Sequence, residues 1–385
     1  MRIGIDIKAF KNGTTGIARY LRSILDLLQE LDRENDYLLF SCAPSDYAVS
    51  NPRWRKIVTP WRLPGIAWQQ MVLPRLLQRH AVDLLWAPEQ MCPILLPKSI
   101  AVISTVHDFA CLHYPRTCVW SNRLIQKYLF PLAIRRSAVL LPVSDFIAHE
   151  LEQTYPELLH GKTIRPVYDG GPGWIPPQGY TGGGRGNFLF FAGNLEPRKN
   201  LERLIRALQI LRAGHGLKIP LHLAGPAGWK NRTLHALIDS SGMREDILFL
   251  GYLSEEELKH EYLTCKALVY PSLYEGFGLP VLEALSLDCL VLTSHGTVMR
   301  EVAGDNAIYF DPESPESIAA AIKDVYEPDF ERRNYLKERG AALQKFTWER
   351  AARTLLHSMN EVGGRVQAER VSPDSDERPG TDRGR

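Results

Sequence analysis

The 385-residue chain lacks a strong charge of either sign: 46 Lys and Arg stand against 44 Asp and Glu, a net +2. That balance gives no reason to expect a polyanionic partner, so no nucleic acid is expected, while a local basic patch stays open. Long apolar runs are missing as well, none approaching the roughly 20 residues that a helix needs to cross a bilayer. The six cysteines include no CxxC pair and most lie in apolar runs, which predicts buried free thiols in a reducing compartment. No leader is evident either, because MRIGIDIKAF alternates apolar residues around an aspartate and reads as a strand. No DxD-type acidic pair follows a predicted strand and no His/Asp cluster has metal-ligand spacing, so no metal or other cofactor is expected. The expected location is cytoplasmic.

What is present describes a soluble globular chain, 45% hydrophobic and 23% charged. Its length predicts two domains, since single cores stop growing near roughly 250–300 residues. A strand at Ile3–Ile7 is followed by the loop KNGTTG and by a helix over Ile17–Leu31. Strands at 37–40, 83–87, 101–106 and 138–144 alternate with helical stretches. Then GGPGWIPPQGYTGGGRGN, Gly170 to Asn187, breaks the pattern with Gly and Pro. A second series follows, with strands at 188–193, 221–225, 247–251, 267–271 and 290–294 and a helix near Leu201–Leu211. Ser254 to Glu257 forms a capping box. The expected architecture is α/β, two Rossmann-like doubly wound domains facing a central cleft. The boundaries are 1–175, a linker at 176–187, 188–363 with a final helix near 346–359 that packs back on the first domain, and a disordered tail at 364–385.

The second series holds the chemistry. In FFAGNLEPRKNL a strand ends at Gly193 and a loop presents Arg198 and Lys199, with Asn200 placed to cap the next helix. Adjacent cations beside a helix N-terminus suit a phosphate or diphosphate, and a solvated basic turn is the alternative. In YPSLYEGFGLPVLEAL, Pro280 suits the first helical position and Leu279 is biased to extended geometry. Gly276 and Gly278 let the backbone approach a ligand, and the amides after Gly278 form a positive helix end. Glu283 then falls in the first helical turn, beside a phosphate, where it suits a vicinal diol such as a ribose. Glu275, on the loop, faces the other side of the diphosphate. Either acid alone is equally readable as a helix-dipole partner or a surface carboxylate.

These residues carry a resemblance. EGFGLPVLEAL resembles the E-x7-E element of retaining GT-B glycosyltransferases of family 4, and GNLEPRKNLERLIRAL the same family's donor-phosphate element. LAGPAGW, FLGYLSEEEL, LVYPSLYEGFGLP and REVAGDNAIYFDPESPESIAAAI follow in the family's order, so the likeness covers nearly the whole chain. The resemblance implies that Arg198 and Lys199 hold the diphosphate of a nucleotide sugar. It further implies that Glu283 binds the ribose, Glu275 the hexose, and the backbone of Gly276, Phe277, Gly278 and Leu279 the sugar and phosphate. Leu253 would lie near the base. In the first series, His107 and Asp108 of TVHDF match the family's His-Asp position, which lies close to the donor sugar. The loop with Gly13, Thr15 and Gly16 resembles the glycine-rich loop that closes over the phosphates, and Ser144 of VSDF reads as structural. One departure is YDGGPGW, where Asp169 stands in place of the family's asparagine.

GIARYL, WQQMVLP and TVHDF are most similar to bacterial mannosyltransferases of polysaccharide and O-antigen assembly. The implied donor is GDP-mannose or a GDP-6-deoxyhexose such as GDP-rhamnose, and the implied acceptor a lipid-linked oligosaccharide. A UDP-sugar-dependent glucosyl- or N-acetylglucosaminyltransferase is the alternative, followed by an epimerase, a glycoside hydrolase and a non-catalytic nucleotide-sugar-binding module. Arg53–His80, with six Lys/Arg and Trp54, Trp61 and Trp68, is the candidate for peripheral contact with the inner face of the membrane. The competing reading of that segment is an amphipathic helix packed on the first domain.

Overall fold

Short apolar runs alternating with amphipathic helices give this chain two parallel sheets. The structure, a computed structural model, describes residues 1–371 apart from 13–14, 61–63, 179, 181–184, 227–230 and 337–338. By packing the chain divides into two compact units. One comprises Met1–Thr105, Ala133–Leu140 and the segment from Arg353 onward; the other comprises Val106–Leu132 and Leu141–Ala352.

The first sheet contains β1 (Arg2–Asp6), β2 (Asp36–Ser41), β3 (Trp54–Val58), β4 (Leu84–Ala87), β5 (Ala101–Val106), β6 (Val139–Pro142) and β7 (Thr163–Ile164). Their order is β3-β2-β1-β4-β5-β6-β7. The second contains β8 (Leu189–Ala192), β9 (Leu221–Ala224), β10 (Ile247–Gly251), β11 (Ala267–Tyr270), β12 (Val291–Ser294) and β13 (Ile308–Phe310), ordered β10-β9-β8-β11-β12-β13. Leu189 of β8 stands opposite Leu221 of β9 on one side and Ala267 of β11 on the other, all parallel. Strand order therefore reverses at β8. Crevices outside the carboxyl ends of strands at such a reversal are where these sheets take ligands, which singles out the loops after β8 and β11. Every residue of β8, β11 and β12 is buried, as expected for strands covered on both faces.

Several expectations need correction. The helix starting at Gly16 buries Leu21, Ile24, Leu25 and Leu28 as read from sequence, with Ile17 only half-buried, and the Ser254–Glu257 capping box is formed as expected. The last helix, however, spans Trp348–Val371 and not 346–359, so residues 364–371 are helical while 372–385 lie outside the described residues. Two glycines fail to stop it because packing overrides their low propensity. A Cβ on Gly363 would collide with the Met1 side chain, Met359 lies against the Tyr37 hydroxyl, and Asn35 donates to Asn360 at 3.3 Å. In the expected linker, Arg185 is fixed by bonds to the carbonyls of Tyr262, Cys265, Leu287 and Asp288.

Arg53–His80 is neither one amphipathic helix nor a tryptophan-studded face. It contains β3 and two short helices, Gly65–Met71 and Leu73–Arg79. Trp54 is buried and stacks on Tyr37 with centroids 4.3 Å apart, and Trp68 is fully buried. Trp61 lies outside the described residues. Two of the expected membrane-facing aromatics are thus core residues. The cysteines carry no disulfide among the described residues; four are buried, while Cys111 and Cys118 are half-buried.

Candidate functional site

The loop after β8 turns through Pro197–Lys199, and Asn200 closes it in the left-handed region at φ 61°. Asn200 precedes the Leu201–His215 helix as expected, but its side chain does not cap it. The amide donates instead to the carbonyls of Pro271 (3.0 Å) and Pro312 (2.7 Å), stitching the β8 loop to the β11 loop. The Arg198 carbonyl adds a bond from the Leu273 amide at 3.0 Å.

That stitching brings Arg198, Lys199 and Glu275 into one buried cluster. Arg198 Nη1 lies 2.8 Å from Glu275 Oε2 and Lys199 Nζ 2.7 Å from Glu275 Oε1, so one carboxylate spans both cations. Lys199 also donates to the Tyr270 hydroxyl at 2.6 Å; Arg198 donates to the Tyr274 carbonyl at 2.6 Å and to Glu196 at 2.8 Å. Burial pushes the Glu275 carboxyl up, but the charges of Arg198 and Lys199 outweigh it and bring the pKa down to about 2. Burial likewise opposes the charge on Lys199, and the Glu275 carboxylate more than compensates, raising its pKa. Arg198 is shifted up for the same reasons. All three are charged at neutral pH. Sequence reasoning set Glu275 apart from the two cations; the structure puts it between them, as the group that fixes their positions.

The EGFG loop is held by its glycines. A Cβ on Gly276 would fall on the His107 carbonyl oxygen, so only glycine permits this approach of the β11 loop to the segment after β5. Gly278 has φ 104°, and a Cβ there would meet Met299 Cε at 2.6 Å. Ser144 Oγ, which accepts from the Ile147 amide as a helix cap, donates to the Gly276 carbonyl at 2.8 Å. Its structural reading is thus explained by two bonds. Phe277 is buried edge-on against Phe346, at 5.2 Å between centroids.

The helix runs Leu279–Ser286, so Leu279 is its first residue and Pro280 its second, one position later than expected. Glu283 then lies beyond the first turn, another correction. It is buried and accepts from the Tyr262 hydroxyl at 2.8 Å. The first-turn amides remain the positive end that a phosphate would meet.

His107 is half-buried beside this loop through its backbone, and Asp108 accepts from the Ala110 amide at 3.0 Å, starting a short helix. Tyr274 ties both together, because its hydroxyl accepts from the Phe109 amide at 3.1 Å and donates to Glu150. Leu253 is half-buried just past β10, the edge strand of the second sheet and two strands from β8. Thr15 caps its helix by accepting from the Ala18 amide at 3.2 Å, and Gly16 is exposed; both belong to the other unit, and Gly13 lies outside the described residues.

Sequence reasoning missed Tyr270, Tyr274, Tyr262 and Glu150. Tyr270 had a readable signal, since it is the polar-tipped residue that ends an apolar strand, at the end where such sheets place ligands. Glu150 had none: it is one of several acids on the Asp145–Thr154 helix.

Comparison with known proteins fits this geometry. Residues 181–343 match the family described as glycosyl transferases group 1. O-antigen chain mannosyltransferase B of Escherichia coli is 30% identical over 274 residues, 68% of this chain and 70% of that one. Among solved structures, sucrose-phosphate synthase from Thermosynechococcus elongatus superposes with a TM-score of 0.74 at 15% identity, over 95% of this chain and 100% of that one. The Anabaena protein HepE, solved in complex with UDP-glucose, gives 0.70 at 16% identity, over 94% and 100%.

Proposed function

This chain belongs to the glycosyl transferases group 1 family and has the GT-B fold, and from that premise we propose that it moves a hexose from a GDP-sugar to a lipid-linked oligosaccharide with retention of anomeric configuration. The observation that carries the reading is the buried Arg198–Glu275–Lys199 cluster at the sheet reversal, with Glu275 in the loop that leads into the Leu279–Ser286 helix. Lys199 spends two of its three N–H donors on Tyr270 and Glu275, leaving one for a diphosphate oxygen. Fixed cations and amides stabilise the charge that builds on the leaving group, with no reorganisation at the moment of reaction. Glu283 takes the ribose hydroxyls, Glu275 the hexose, and Leu253 packs near the base.

In the reaction the bond from the anomeric carbon to the diphosphate oxygen breaks. The acceptor hydroxyl oxygen bonds to the same face of that carbon, and its proton passes to the departing diphosphate. His107 and Asp108 line the donor sugar, and Thr15 and Gly16 belong to the loop over the phosphates. The two fixed cations do the charge work otherwise given to a metal, so transfer is metal-independent. Mannose is the favoured hexose because O-antigen chain mannosyltransferase B of E. coli is 30% identical over 68% of this chain; a 6-deoxyhexose such as rhamnose is next. The acceptor places the work at the inner face of the cytoplasmic membrane.

A UDP-sugar donor is the second reading, favoured by the HepE complex with UDP-glucose. A glycoside hydrolase with Glu275 as the acid is disfavoured, because such an acid needs a raised pKa and that of Glu275 is down at about 2. The test is nucleoside diphosphate release from a panel of nucleotide sugars with a chelator present. GDP-mannose or GDP-rhamnose turnover is expected, falling at least about a hundredfold in Lys199→Ala. Turnover of UDP-sugars alone would replace the donor; full activity in Lys199→Ala would remove the site.

A further inference from the structure

Between Phe109 and Ser144 the chain has no Asp or Glu, yet it carries Arg116, Arg123 and Lys127 among apolar residues. Here the fold does something unusual with large side chains. Trp120 is 70% exposed, Tyr128 59%, Leu124 48% and Leu132 36%, with Val119 beside them at 40%. The Trp120–Leu124 helix buries none of its residues. It continues through a π-turn at Ile125–Leu129 into the Phe130–Arg136 helix. Positions 120, 124, 128 and 132 follow a four-residue step, the spacing at which helical side chains are neighbours on one surface. The opposite side is anchored, with Phe130 fully buried against Phe109 and Tyr155. Arg123 and Lys127 are exposed, and the Lys127 ammonium lies 5.3 Å from the centre of the Tyr128 ring.

We propose that Val119–Leu132 is a docking surface for an anionic lipid bilayer, with Trp120, Leu124, Tyr128 and Leu132 entering the headgroup boundary and Arg123 and Lys127 meeting lipid phosphates. Contiguous exposed apolar surface of this kind marks an interaction site. Charge decides the occupant. Cations without a single intervening acid match an anionic surface, and Trp and Tyr are the side chains that settle at the boundary between water and hydrocarbon. The surface is also wired to the site, because Gln126, on the same helical run, donates to the Asp108 carbonyl at 2.8 Å. Docking would therefore set the His107–Asp108 segment close to the membrane plane, where a lipid-linked acceptor presents its sugar. This last point rests on the acceptor named above; the surface does not. Arg53–His80, by contrast, keeps Trp54 and Trp68 inside.

The test is co-flotation of the full chain with acceptor-free vesicles, of phosphatidylcholine alone or with phosphatidylglycerol. The wild type should bind the anionic vesicles and release in high salt, whereas Trp120→Ser/Tyr128→Ser and Arg123→Glu/Lys127→Glu should each lose about tenfold or more of that binding. Transfer to a water-soluble acceptor should stay within about twofold in both variants, which separates lost docking from misfolding. Unchanged flotation of either variant, or equal binding to neutral vesicles, would overturn the proposal. So would a shift from dimer to monomer in Trp120→Ser/Tyr128→Ser, which would make the surface a contact between copies. Loss of transfer to the soluble acceptor would also overturn it, making Trp120 a glycan platform. Because the vesicles hold no acceptor and no donor is added, failure of the transferase reading leaves the flotation result intact.

Discussion

At the residue scale, the site turns on how one carboxylate is used. Glu275 accepts from both Arg198 and Lys199 in a buried setting, and its pKa falls from 4.5 to about 2. A depressed carboxyl contributes stability that is fully present above about pH 4.5 and is lost as pH falls toward about 2. Replacing it with glutamine removes that contribution and leaves two buried cations unpaired. Glu275→Gln should cost on the order of 3 kcal/mol at neutral pH, read by urea denaturation. The gap between wild type and variant should close as the pH is lowered from 4.5 to 2. A gap that stayed constant across that window would mean that Glu275 does not carry the ionic cluster. Nothing in the sequence revealed the pairing. Arg198 and Lys199 stand 77 and 76 positions from the acid, and the bond appears only because β8 and β11 are neighbours.

At the element scale, the site is a junction of loops whose approach is set by small residues. Gly276 rests on the His107 carbonyl, and Asn200 bridges to the β11 and β13 loops through Pro271 and Pro312. A methyl group at 276 cannot be absorbed by a flexible side chain, because what it meets is backbone. Gly276→Ala should displace the EGFG loop, reducing transfer at least about a hundredfold and stability by about 2 kcal/mol, measured by kinetics and thermal melting. Near-normal transfer would show that the loop can re-form elsewhere. The elements were well marked in the sequence wherever pattern and cap agreed, as in the Gly16 helix and the Ser254 capping box. They were misread where tertiary contact decided. Gly363 looked like the end of the domain but lies inside the last helix, where Met1 fits against it, and Trp54 and Trp68 looked membrane-facing but are core. Helix starts off by one residue moved Glu283 from the first turn to the interior, where Tyr262 holds it.

At the scale of the whole molecule, the two parallel sheets were implied by alternation and the family by ordered motifs, whereas the strand order was not legible in the sequence. Composition could not show where apolar surface remains outside. The basic-aromatic stretch Arg53–His80 keeps Trp54 and Trp68 buried, while the exposed aromatics at Val119–Leu132 are marked in the sequence chiefly by a lack of acids. The proposed donor chemistry belongs to this scale too, since it would draw on the loops after β8 and β11 together with the segment that follows β5. Its direct test is the anomeric configuration of the product formed from α-linked GDP-mannose and a polyprenyl diphosphate-linked acceptor, read by NMR beside the yield of GDP. An α-linked mannoside with one GDP per transfer is the expected result; a β-linked product, or GDP accompanied only by free mannose, would contradict retaining transfer by this chain.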